Sequence, residues 1–156
     1  MNLKVLSLCA ALALLAACET APKTDAGANT SGTQSSIRPG SQEDLVVNVG
    51  DRVFFGFDRS DLTPEARATL DRQSAWLKQY PNVTVTVEGH ADERGTREYN
   101  LALGERRSNA VKKYLVAQGI NPSRVKTISY GKERPAVLGS NEAAWAQNRR
   151  GVTVVD

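Results

Sequence analysis

The stretch GHADERGTREYNLALGERR, Gly89 to Arg107, gathers the only histidine of the chain, an Asp-Glu-Arg run and a Glu-Arg-Arg run. Residues of these types can do acid–base or metal chemistry, lace a helix surface with ion pairs, or cradle a charged ligand. For the first, His90 and Asp92 with Glu88 or Glu93 form a thin set. A lone histidine without a cysteine partner makes a poor metal site, and His-x-Asp at a strand end supplies two ligands at most. No G-x-S-x-G, H-E-x-x-H or paired-carboxylate cleavage signature is present. The sequence therefore reads as non-enzymatic, with no cofactor and no metal.

The other two chemistries turn on Asp92 and Arg107. On a helical wheel Tyr99, Leu103, Arg107, Ala110 or Val111, Tyr114 and Gln118 share one face. Arg106 falls instead with Ala102, Asn109 and Lys113, toward water. An arginine on an apolar stripe must find an anion, because a buried unpaired charge costs several kcal/mol. Asp92 shares strand parity with Glu88 and His90, just where the chain leaves the strand, and Gly89 and Gly95 give that loop room to turn. Two readings stand: an Asp92–Arg107 salt bridge that fixes the loop, or a clamp for a zwitterion. In the clamp Asp92 takes an ammonium and Arg107 takes a carboxylate through its planar fork.

Positioning these groups requires a strand, a sharp loop and a long helix, and the surrounding pattern supplies them. LVVNVGDRVFFGF reads as strand with a turn at Asn48–Asp51. Thr63 caps a helix with Pro64 at its first position and Leu62, Ala66, Leu70 and Leu77 along one face, and Pro81 stops it. Val83, Val85 and Val87 alternate with Thr84, Thr86 and Glu88, a half-buried strand. A helix from about Glu98 to Gln118 is closed by Gly119. RVKTISYG gives another strand, NEAAWAQNRR a short helix capped by Ser140 or Asn141, and GVTVVD a last, edge strand. The β-α-β-α-β order predicts a two-layer α/β sandwich with a mixed sheet over residues 45–156. Trp76, Tyr80 and Trp145 stand at helical spacing, which suits a core more than a docking face. The net charge of +3 is small and its charges are interspersed, which argues against nucleic acid as a partner.

Ahead of the domain the composition changes twice. Residues 1–17 carry one charge, Lys4, then an apolar run from Val5 to Ala17. That run is shorter than the roughly 20 residues a spanning helix needs, and with its small-residue end it describes a secretory signal peptide. Residues 18–44 are Thr, Ser, Ala, Gly, Asn and Gln with few large apolar side chains, the composition of a flexible linker. Such a segment reaches roughly 25–30 Å on average and about 85 Å when stretched. Leu15-Ala16-Ala17-Cys18 resembles the lipobox of bacterial lipoproteins, which implies lipid on Cys18. In such lipoproteins an aspartate in the next position favours the inner membrane, so Glu19 points to outer-membrane delivery, with the domain in the periplasm.

FFGFDRSDLTPEA, VTVEGHADERGTREYNLALGERRSNAVKKYL, ISYGKERP and NRRGV, in that order, resemble the OmpA-like peptidoglycan-binding domain from about Val53 to Val155. The resemblance implies non-covalent binding of meso-diaminopimelate in the peptide stem of peptidoglycan. It implies Asp92 on the ligand ammonium and Arg107 on its carboxylate. It further implies backbone amides and a packing ring from Phe57-Asp58, an apolar wall at Leu103, and either Arg149 or Arg150 near the site. Lipid-anchored members imply TolB and other Tol proteins as partners. Arg97, where such members often have proline, and Gly151, where a side chain is common after NRR, depart from the pattern without touching the clamp.

Overall fold

Thr63 accepts the amide of Ala66 and Pro64 fills the first turn, so a helix, α2, starts there and runs over Pro64–Gln79. Thr96 caps α3, Arg97–Ala117, in the same way, and Asn141 caps the short α4, Glu142–Asn148. The strands are β1, Arg52–Phe54; β2, Val85–His90; β3, Val125–Gly131; and β4, Arg150–Val155. A three-residue helix, α1, covers Gln42–Asp44. The computed structural model describes residues 37–156. The expected signal peptide, Cys18 and the linker as far as residue 36 lie outside the described residues.

The sheet order is β1-β4-β2-β3, with β2 and β3 parallel and β4 antiparallel to both neighbours. Helices α2 and α3 cover one face. Val53, Phe55, Leu70, Leu77, Val85, Val87, Val111 and Leu115 form the core between the layers. This is the two-layer α/β sandwich with a mixed sheet that the alternation of periods predicts.

Three local expectations are corrected. GVTVVD is not an edge: β4 pairs on both sides and its residues Arg150–Thr153 are buried. Alternation identifies a strand but carries no information about its neighbours. The predicted strand from Leu45 is strand only at Arg52–Phe54, because Leu45–Val49 winds into a π-helical turn closed by Gly50 N–H on the Leu45 carbonyl at 2.8 Å. The turn buries Leu45 and leaves Val46 and Val47 exposed. An unbroken Leu-Val-Val run has no period to choose between the two. Ordered structure also begins ahead of Leu45. The Asp44 carboxylate accepts the Trp76 indole N–H at 2.9 Å, the Gly40 amide and the Asn48 amide group, so composition placed these residues in the linker too readily.

Strand register fixes two poles. Val85 of β2 lies opposite Val155 of β4, and Gly89 opposite Gly151. The chain enters at the Val155 pole, where Gln42 accepts the Val155 amide at 2.7 Å. The loops after β1 and β2 emerge at the other pole.

Candidate ligand-binding site

At that second pole the close approach of α3 to β2 decides where every functional side chain sits. A Cβ on Gly89 would lie 1.8 Å from the Gly104 carbonyl oxygen, and one on Gly104 would lie 2.3 Å from Ser129 Oγ. Two residues without side chains thus let the helix backbone rest directly on the strand. The first half of α3 is thereby held over the loop that follows His90.

Arg107 points inward from α3 and is 0% exposed. Among the described residues no carboxylate lies within salt-bridge distance of it. Its Nε donates to the Arg59 carbonyl at 2.8 Å, Nη1 to the His90 carbonyl at 2.8 Å and Nη2 to the Gly56 carbonyl at 3.0 Å. The guanidinium also lies over the Phe55 ring. A guanidinium has five N–H groups, so among the described residues these contacts leave two without a partner. Burial lowers its pKa to about 10, and the charge of Asp92 opposes that shift. Arg107 is therefore a full cation at neutral pH, held by neutral dipoles. The salt bridge between Asp92 and Arg107 is absent.

Asp92, buried, holds other partners. Arg94 forks onto it, Nη2 to Oδ2 at 2.6 Å and Nε to Oδ1 at 3.1 Å, and the Arg94 amide also reaches Oδ1. Arg149 Nη1 approaches Oδ2 at 3.4 Å. Burial pushes the Asp92 carboxyl up, but the hydrogen bonds and charge of Arg94, with Arg149, outweigh it and hold the group below its ordinary value.

A cavity of about 180 Å³ opens between these groups, lined by Phe57, Asp58, Asp92, Arg94, Gly95, Tyr99, Asn100, Leu103 and Arg107. Asp58 adopts a left-handed φ of 55°, and Tyr99 O–H donates to its carboxylate. A non-glycine residue in that region stores strain and occurs where surrounding contacts impose it. Asn100 donates to the Arg94 and Thr96 carbonyls and so ties the loop to the first turn of α3. The arrangement offers a carboxylate on one wall, a guanidinium on another and an apolar side from Leu103 and Phe57. It can hold a small molecule or side chain bearing both charges.

The OmpA family profile matches residues 54–149. The chain belongs to the OmpA family. A peptidoglycan-associated lipoprotein of Agrobacterium fabrum is 56% identical over 124 residues, covering 80% of this chain and 70% of that protein. One from Pasteurella multocida is 44% identical and covers 96% of this chain and 95% of its own length. The crystal structure of the peptidoglycan-associated lipoprotein from Burkholderia pseudomallei superposes with a TM-score of 0.66 at 40% identity, over 68% of this chain and 90% of that one.

In this OmpA-family domain Phe57, Asp58, Asp92, Leu103 and Arg107 meet at one cavity. Of the two arginines the sequence left open, Arg149 contacts Asp92, the Phe55 carbonyl and Glu142. Neither lines the cavity itself: Arg149 backs Asp92, and Arg150 donates to the Asn148 and Arg134 carbonyls. Arg149 caps the end of α4 and Arg150 begins β4, so the pair divides at the junction of the two elements. Sequence reasoning missed Arg94, Tyr99 and Asn100 as lining residues. Tyr99 shares the Leu103 and Arg107 face, a signal that was available. Arg94 lies in a loop, where no period marks it.

Proposed function

We propose that this chain is a lipid-anchored outer-membrane protein of the Tol–Pal system whose periplasmic domain binds the diaminopimelate stem peptide of peptidoglycan without covalent chemistry. The observation that carries this reading is the cavity with buried Asp92 on one wall and buried, carboxylate-free Arg107 on another. The side-chain end of meso-diaminopimelate bears an ammonium and a carboxylate on one carbon. The carboxylate would meet the free N–H groups of Arg107, and the ammonium would meet Asp92. A lysine stem lacks that second carboxylate and would leave the buried cation unanswered. The relatives' name, peptidoglycan-associated lipoprotein, supports both the wall ligand and lipid on Cys18.

With lipid in the outer membrane and the domain on the wall, the protein tethers one to the other. That tether supports envelope integrity and constriction during division. Single contacts need not be tight, because many copies in one membrane raise the effective concentration. TolB, competing for the same pole, would release the wall.

Calorimetry with a diaminopimelate stem peptide and a lysine stem peptide tests the reading. Selective binding of the first, lost in Asp92→Ala, supports it. Equal binding of both, or none by folded protein, refutes it.

A further inference from the structure

Asp92 has little left to offer an incoming ammonium. A carboxylate provides about four acceptor positions. Here Oδ1 takes the Arg94 amide and Arg94 Nε, and Oδ2 takes Arg94 Nη2 and Arg149 Nη1. A ligand cation can enter only when one donor leaves. The amide is fixed by the backbone. Arg149 is buried and pinned by the Phe55 carbonyl at 3.0 Å and Glu142 at 2.7 Å. The Arg94 side chain is the accessible one at 30% exposure, and its guanidinium otherwise rests between two rings, 4.0 Å from the centre of Phe57 and 4.0 Å from that of Trp145. Face stacking of this kind at an exposed site is weak and has no unique geometry.

We infer that Arg94 is an internal competitor for the ligand: its guanidinium fills the cation subsite of Asp92 when the cavity is empty and exchanges with the ammonium of a zwitterionic ligand. The inference rests on the stem-peptide reading above. The exchange replaces one cation on Asp92 by another, so the buried carboxylate is never left bare. It also empties the slot between Phe57 and Trp145. Apparent affinity is then the intrinsic affinity reduced by the fraction of molecules with Arg94 released.

The test uses the full-length chain in detergent, its Arg94→Gln and Arg94→Lys variants, and a soluble diaminopimelate stem peptide. Arg94→Gln keeps the amide contact and removes the competing cation, so its affinity is expected to rise about five- to tenfold. Arg94→Lys, a point charge without the fork, is expected to fall between it and wild type. Ligand should change Trp145 fluorescence in wild type, as the stacked guanidinium leaves, and change it much less in Arg94→Gln. Weaker or unchanged binding by Arg94→Gln overturns the competitor and makes Arg94 a ligand contact or a support for Asp92. No binding by either folded protein overturns the stem-peptide reading itself, and the competitor with it.

Discussion

Exchanging Asp92 for asparagine removes a charge and keeps the shape, so it separates ligand recognition from scaffold. Stem-peptide affinity should drop about 10- to 100-fold, the worth of a charge-assisted hydrogen bond, while calorimetric stability falls by only about 1–2 kcal/mol. Arg107→Lys behaves differently. An ammonium cannot satisfy the Gly56, Arg59 and His90 carbonyls from one position, so urea unfolding should show a loss of about 2–4 kcal/mol together with lost binding. His90 gives a pH signature. Burial, then the guanidiniums of Arg150 and Arg134, lower its pKa from 6.5 to about 4, despite Glu88 at 3.4 Å. Between those values the unfolded chain binds the extra proton, so stability falls as pH drops from about 6.5 toward 4 and is level above. Allowing for solvent screening, the fall attributable to His90 is roughly 2 kcal/mol. It should vanish in His90→Gln, followed by urea unfolding across that range. Asp92, whose folded pKa lies below 3.8, adds its own loss only at lower pH. Arg107 was legible because a helix wheel converts spacing into direction. Arg94 was not, because it lies in a loop that no period marks and the rings it stacks on, Phe57 and Trp145, are far from it along the chain.

At the scale of elements, the Gly89–Gly104 contact sets the distance between the loop that carries Asp92 and the helix that carries Leu103 and Arg107. Alanine at Gly104 brings two opposed effects. Helix propensity favours it by about 1 kcal/mol. The added methyl, however, meets Ser129 Oγ at 2.3 Å and the Gly89 carbonyl oxygen at 2.7 Å. Overpacking against backbone wins, so thermal melting should show net destabilisation of about 1–3 kcal/mol, and the lifted helix should weaken stem-peptide binding as well. Caps, helix lengths and the strands at Val85 and Val125 were legible, since each depends on neighbours in sequence. The internal position of β4 and the π-helical turn at Leu45–Val49 were not. The first depends on pairing with strands far away in sequence, and the second on Asp44 finding Trp76.

For the whole molecule, the entry of the chain beside Val155 and the cavity beyond His90 occupy opposite poles of one sheet. A tether pulling on residue 37 and a wall fragment held in the cavity would load the domain lengthwise, along the strands. Ladder hydrogen bonds loaded that way share the force and slide in shear. Drawn sideways, they open one at a time like a peeled tape. Single-molecule pulling between residue 37 and a handle at Ser60 should therefore rupture at higher force than pulling between the sheet edges at Phe54 and Ile128. Equal forces would contradict this. If the domain tethers membrane to wall as proposed, envelope strain would reach it in the direction in which its sheet yields last.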